Sequence, residues 1–310
     1  MSADLPAQSE KPAQELSHLL LVNPSAGGGQ GAKLLDHAIA ALADGGVTPK
    51  VVLTESIEHG RAEAREAAVG TTVIVMSGDG LIGQVGGELA DTGATLGIMP
   101  AGRGNDLARV LGIPNDIEEA AGMIAAGQTR TIDVGEANGV RFLGIASCGF
   151  DSVANRIAND ARFVRGPMVY AYAALRALAT WKAATFTLEL DGRRETATGY
   201  SIAVANSKAY GGGMYAAPDA ELDDGLLDIG ATGNVGKLRF LRGLTQIFKG
   251  EHLETLEVRM WKAPEVRVEA DRPFSVYADG DPIAELPATV RVIPGALRVI
   301  MPPTATSPVP

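Results

Sequence analysis

The chain of 310 residues carries a formal charge of −10 and is 46% hydrophobic, enough apolar material for two ordinary cores and too much for a disordered or fibrous protein. Its single cysteine, Cys148, excludes a disulfide framework and a cysteine-only metal cluster, and fits a reducing compartment. The charge is lopsided: residues 1–135 hold 8 basic and 17 acidic side chains while residues 136–310 hold 19 and 20, so the first half is no nucleic-acid groove.

Residues 1–15 are acidic and rich in Pro, Gln and Ser without an apolar stretch, which reads as a disordered tail rather than a signal peptide or anchor. Nowhere do about 18 apolar residues run together, so no spanning helix is expected. A strand from His18 to Val22 leads into the glycine-rich loop Asn23–Gly31 and a helix from Lys33 to Leu42. A Walker A loop is ruled out because Lys33 lies between Ala32 and Leu34. Gly27-x-Gly29-x-x-Ala32 satisfies a dinucleotide fingerprint, with Glu55 beyond the strand Lys50–Leu53. Asn23-Pro24-Ser25 separates strand from glycine, however, which favours a phosphate-contacting loop over a Rossmann site.

The helix Arg61–Ala68 reads as a solvated face. Val73–Met76 and Thr95–Met99 then read as buried parallel strands that feed two glycine-hinged acidic loops, SGDG at Ser77 and PAGRGND at Pro100. Neighbouring strand ends in a parallel sheet open onto one crevice, so Asp79, Asn105 and Asp106 are expected to converge there. Carboxylates among glycines suit a magnesium-nucleotide site, because the missing Cβ atoms let backbone approach phosphate while an acid positions the metal. A helix from Asp116 to Ala126, closed by Gly127, precedes the strand Thr129–Val134 with Asp133.

From about Glu136 the texture changes to many short strands with turn signals, predicting a mostly antiparallel second domain. The strands are Phe142–Cys148, Ala183–Leu190, Thr196–Ala205, Leu226–Ala231, Leu256–Met260, Glu265–Glu269, Phe274–Ala278, Thr289–Ile293 and Leu297–Met301. Hairpin turns are expected at Asp191-Gly192 and Pro294-Gly295, and helices over Pro167–Trp181 and Val235–Phe248. The second helix is basic and amphipathic, with Lys237, Arg239, Arg242 and Lys249 beside Leu238, Phe240, Leu241, Leu244 and Phe248. The four histidines, His18, His37, His59 and His252, form no metal or triad spacing. Carboxylates in glycine contexts recur instead: Asp79, Asp106, Asp133, the run Asp219–Gly225, and Asp279-Gly280-Asp281. Metal-assisted phosphoryl transfer needs such an inventory, although an Asp-Gly pair is also an ordinary turn.

The ordered motifs NPSAGGGQG at Asn23, SGDGLIGQV at Ser77, PAGRGNDLAR at Pro100, IDVGEANGVRFLGIASCGFD at Ile132, GGGMYAAPDAELDDGLLDI at Gly211 and ADGDPI at Ala278 resemble the diacylglycerol kinase catalytic family, in particular its soluble bacterial lipid kinases, which are similar to sphingosine and ceramide kinases. The resemblance implies an α/β nucleotide domain with a parallel sheet over 16–135, a mostly antiparallel β-sandwich domain over 136–302 that takes the lipid, and a short tail at 303–310. It places ATP along Asn23, Gly27, Gly29, Thr54, Ser77, Gly78, Asp79, Gly80, Leu81, Ile82, Gly83, Arg103 and Asn105. Asp79 would organise the magnesium-nucleotide with Asp106 and Asp133 behind it, and Asp281 would take the proton-accepting place. Glu221, Asp224 and Leu226 match a second, structural magnesium site. The departures fall in the active loops: Ser77 for glycine, Leu81 for threonine, Gly83-Gln84 for Asn-Glu, Arg103 for threonine, and Asp281 for glutamate. The implied protein is a cytoplasmic ATP- and magnesium-dependent lipid kinase that touches the membrane surface, with a homodimer open. A non-catalytic nucleotide-binding module and a soluble enzyme of the NAD kinase type are the alternatives.

Overall fold

A computed structural model of the protein describes residues 17–161 and 168–302; the expected tails and Pro167 lie outside these residues. The first half alternates strand and helix: β1 (His18–Val22), α1 (Ala26–Asp44), β2 (Lys50–Leu53), α2 (Ile57–Arg65), β3 (Thr72–Ser77), α3 (Asp79–Leu89), β4 (Thr95–Pro100), α4 (Asp106–Leu111) and α5 (Ile117–Ala126). β4, β3, β1 and β2 lie side by side and run parallel. Strand periodicity divides their side chains between two faces. Leu19, Leu21, Val73 and Val75 pack with Ile82 and Val85 of α3 and Leu107 of α4, while Leu20, Val22, Ile74 and Met76 pack with Ala38 and Leu42 of α1 and Ala121 of α5. Covered on both sides, β3 and β4 are buried at every residue, as their unbroken apolar sequence requires.

The second half comprises β5 (Thr129–Ala137), β6 (Val140–Phe142), β7 (Ile145–Gly149), α6 (Phe150–Asp160), α7 (Met168–Thr180), β8 (Ala184–Leu190), β9 (Arg193–Ala205), β10 (Leu227–Gly233), α8 (Lys237–Gln246), α9 (His252–Thr255), β11 (Arg259–Ala263), β12 (Glu265–Ala270), β13 (Ser275–Ala278), β14 (Asp281–Glu285) and β15 (Ala288–Ile300). Its strands pair antiparallel in the order β14-β13-β7-β9-β8-β12-β15. Alternate residues of β7, β8, β9, β10, β12 and β13 fill one core, among them Cys148, Phe186, Ile202, Ile229, Val268 and Val276. The hairpin at Asp191-Gly192 forms as expected, with both residues at positive φ.

Pro294-Gly295 is not a hairpin turn. β15 runs through it as one 13-residue strand, and the two residues sit in a bulge where the pairing with β5 shifts between Ile293 and Leu297. Before the bulge β15 pairs with β12; after it, Arg298 and Val299 pair in parallel with Thr95 and Leu96 of β4. One strand therefore joins the antiparallel and parallel parts into a single sheet. Two other expectations change locally. The strand expected over Phe142–Cys148 breaks at Leu143-Gly144, and Leu256 follows α9, so β11 begins only at Arg259. The sequence reading also omitted α6 and β14.

Leu297 is fully buried at the joint, packing with α3 and β4 residues. Leu297→Ala is expected to lower stability by about 2–5 kcal/mol in urea unfolding. Because the joint is shared, tryptophan fluorescence, which reports on the second half, and far-UV circular dichroism should give the same midpoint; a shift confined to one probe would contradict the shared sheet.

Candidate active site

Three loops at the C-terminal ends of β1, β3 and β4 build the floor of the site. After β1, the Asn23 side chain accepts a hydrogen bond from Ser25 N at 3.0 Å, and Gly27, Gly28 and Gly29 all take positive φ. A Cβ on Gly27 would lie 2.5 Å from Ala101 O, so the first and third loops touch through backbone. Gly78 and Gly102 meet in the same way: a Cβ on Gly102 would fall 2.5 Å from Gly78 Cα. Arg103 reaches back over the first loop, its guanidinium 3.3 Å from where a Gly28 Cβ would be, and it makes no ion pair among the described residues. A free cation over three glycines is suited to phosphate oxygens.

Not every expected contact has a side chain available. Ser77 is buried in β3, and the Thr54 hydroxyl is committed to Val22 O at 3.1 Å. Leu81 and Ile82 are core residues of α3, Leu81 packing against Gly60 of α2, so both can offer a nucleotide only their backbone. Asn105, in the left-handed conformation, accepts from Gly102 N at 2.9 Å and donates to Asn115, which fixes the loop rather than leaving an amide free.

The carboxylates separate into two kinds. Asp106 is saturated: Arg109 Nη1, Gly212 N and Gly213 N each donate to it at 2.6 Å, while Arg109 Nη2 holds Gly104 O at 2.8 Å. The first half thereby grips the Gly211–Gly213 turn of the second. Asp133 is also saturated, accepting from Gly225 N and Gly295 N at 2.7 Å. Its geometry is that of a brace between the Asp219–Gly225 loop and the β15 bulge.

Asp79, Asp279 and Asp281 are the frustrated carboxylates. Burial first, and then the nearby Asp106 charge, raise Asp79 above the ordinary range although Leu107 N donates to Oδ1 at 3.2 Å. Burial, reinforced by the charges of Asp79 and Asp281, pushes Asp279 up to about 7; burial alone raises Asp281. Asp279 sits at positive φ in the β13–β14 turn and lies against Gly83 and Gly144, where a Cβ on either glycine would be 2.5 Å from a carboxylate oxygen. Leu143 N, freed by the break before β7, donates to Asp279 at 3.2 Å. Asp279, one of the recurring Asp-Gly acids of the sequence, feels the charges of both Asp79 and Asp281, and Gly83 and Gly144 make room for it. Gly83 in place of the family's asparagine now has a steric reason. The sequence reading missed Asn206; its buried amide donates to Asp133 O and Leu143 O and ties the braces together.

Residues 17–137 match the family model described as diacylglycerol kinase catalytic domain, and residues 144–301 match the YegS C-terminal NAD kinase beta sandwich-like domain. The chain belongs to the diacylglycerol kinase family of lipid kinases. It is 38% identical to a diacylglycerol kinase of Mycobacterium tuberculosis over 91% of this chain and 94% of that protein. A Pseudomonas aeruginosa protein named "Probable lipid kinase YegS-like" is 34% identical over 86% and 88%. A crystal structure described as a diacylglycerol kinase from Bacillus anthracis superposes with a TM-score of 0.73 at 25% identity, covering 94% of this chain and 98% of that one. These similarities span both halves of this lipid kinase.

The raised acids give a pH test. Asp279 is protonated in the folded protein up to about pH 7 but ionises near the ordinary carboxylate value when unfolded, so folding takes up a proton between these limits and stability falls as pH rises through the window. Asp279→Asn keeps an acceptor for Leu143 N without the charge. The variant should show a smaller loss of urea stability between pH 5 and pH 8 than the parent, and greater stability than the parent at pH 8. Asp151, which burial raises to about 6, contributes with the same sign in both proteins and cancels in the comparison. An unchanged pH 5 to pH 8 difference would refute the assignment.

Proposed function

We propose that this kinase transfers the γ-phosphate of ATP to the hydroxyl of a neutral lipid such as diacylglycerol, with Asp281 as the proton acceptor. The observation that carries this reading is the line of coupled carboxylates, Asp106 to Asp79 to Asp279 to Asp281, which begins at the glycine loops and ends on a half-exposed acid of the second half. Anionic phosphate cannot approach such acids without positive charge. Arg103 and the backbone amides of the glycine loops supply part of it.

Asp79 fits a magnesium ion that shares its ligands with phosphate. No group of three or more His, Cys, Asp or Glu among the described residues is arranged to hold a metal unaided, while the carboxylate of Asp79 is destabilised by burial and by Asp106 and would be relieved by a cation. When bound, the ion would neutralise charge on the transferring phosphoryl group. Asp106 holds the Gly211–Gly213 turn against this centre, and the raised proton affinity of Asp279 limits the negative charge beside Asp79 and Asp281. Asp281, with its raised affinity for a proton, can receive one from the lipid hydroxyl.

Label from γ-labelled ATP, followed in the presence of magnesium and a lipid extract, should appear in an organic-phase product. Water-soluble label would favour the NAD kinase type, and nucleotide binding without product a non-catalytic module. Asp281→Asn is expected to lose on the order of 10²- to 10⁴-fold in rate with ATP binding nearly unchanged, and Asp281→Glu to retain much of it. Full rate in the asparagine variant would remove Asp281 from the role.

Membrane contact through α8 belongs to the same reading. No helix among the described residues is long and apolar enough to cross a membrane. Phe240 and Gly243 of α8 face inward, while Leu238 is 84% exposed and Phe248, in the turn that follows, 47%. Lys237 is bound to Ala179 O and Arg239 to Glu257, but Arg242 and Lys249 have no ion pair among the described residues and are free for lipid phosphates. Each basic group near an anionic bilayer contributes about 1 kcal/mol, screened by salt. The protein should co-sediment with anionic but not neutral vesicles, and Arg242→Glu with Lys249→Glu should abolish this at an unchanged melting temperature. Equal binding to both vesicle types would defeat the idea.

A further inference from the structure

The family resemblance implies a structural magnesium ion held by Glu221, Asp224 and Leu226, but a protein cation already occupies that corner. Lys262 on β11 stands directly opposite Asp228 on β10 in the strand register. Its Nζ lies 3.2 Å from Asp228 Oδ2, 3.3 Å from Asp224 Oδ2 and 3.4 Å from the Asp219 carbonyl oxygen, so one oxygen from β10 and two from the preceding loop surround an ammonium with three donors. Asp228 is 4% exposed, and its Oδ2 accepts no hydrogen bond among the described residues, so the ion pair with Lys262 is what compensates it. Magnesium binds oxygen at about 2.1 Å in octahedral geometry. At that distance from Asp224 Oδ2 or Asp228 Oδ2 it would enter the space between the carboxylates that the ammonium fills, and the two cations would repel, while Asp224 Oδ1 is taken by Leu226 N.

The loop is fastened by other protein groups as well. Asp133 N donates to Leu222 O, Gly225 N donates to Asp133, Arg130 pairs with Asp223, and Leu226 N donates to Asp224 Oδ1 at 3.0 Å. Glu221 is exposed. We infer that Lys262 stands in for the structural cation of this fold: it bridges Asp224, Asp228 and the Asp219 carbonyl, and the Asp219–Leu226 loop needs no bound metal.

Thermal unfolding without nucleotide tests this independently of activity. The parent protein should melt at the same temperature in EDTA and in millimolar magnesium. Any rise that survives Asp224→Asn arises elsewhere and agrees with the proposal, whereas a saturable rise that Asp224→Asn abolishes overturns it. Lys262→Met removes the ammonium but keeps the stem; in EDTA it should melt several degrees lower, with magnesium saturably restoring the loss. A methionine variant that melts like the parent, or that is indifferent to magnesium, also overturns the proposal. Lys262→Arg, which keeps the charge, should remain metal-independent. Should Lys262→Met fail to fold, magnesium titration of the parent and of Asp224→Asn by calorimetry decides the matter: heat of binding in the parent that is lost in Asp224→Asn rejects the built-in cation, and equal traces support it.

Discussion

The grip of Asp106 on the amides of Gly212 and Gly213 is the contact on which the active site depends. It joins a loop of the parallel sheet to a turn that is more than a hundred residues away in sequence, through charge-assisted hydrogen bonds at 2.6 Å. Successive amides can point at one carboxylate only where the chain curls tightly, and the three glycines at positive φ provide that curl. Asp133 repeats the device with Gly225 and Gly295, and Asp279 with Leu143. The cleft is thus shaped by acids that hold main chain, a construction tolerant of side-chain change around it.

This construction assigns roles to acids that look alike in sequence. A carboxylate whose oxygens are already taken up by amides or a guanidinium has little reason to bind anything further. One that burial, with or without a neighbouring acid, disfavours as an anion holds its proton more tightly and gains most from an arriving cation or proton. Asp106 and Asp133 are of the first kind; Asp79, Asp279 and Asp281 are of the second. The acids whose charge is left uncompensated lie where the two halves meet.

Much of this was legible in the chain. The apolar runs before SGDG and PAGRGND announced buried parallel strands, and the ordered glycine loops announced their common crevice. What escaped depended on distant contacts. Pro294-Gly295 has the local chemistry of a turn, and only the pairing of Leu297–Ile300 with both β4 and β5 shows why the strand continues. Leu81 looked like a loop residue that had lost a hydroxyl, whereas its position opposite Gly60 makes it core. Asp133 kept its place in the family pattern while its partners proved to be backbone. Lys262 gave no local signal, because the acid it serves lies on another strand whose register the sequence does not fix.

The unbroken course of β15 also limits how the enzyme can move. Two lobes joined by a flexible linker can swing apart, but here both hang on one hydrogen-bonded ribbon of β5 and β15, so separation of the lobes becomes torsion of that ribbon. Its softest point is the bulge at Pro294–Ala296, where the ladder is already interrupted, and Asp133 pins this point through Gly295. Any displacement of one half against the other would therefore strain the hydrogen bond between Gly295 and Asp133.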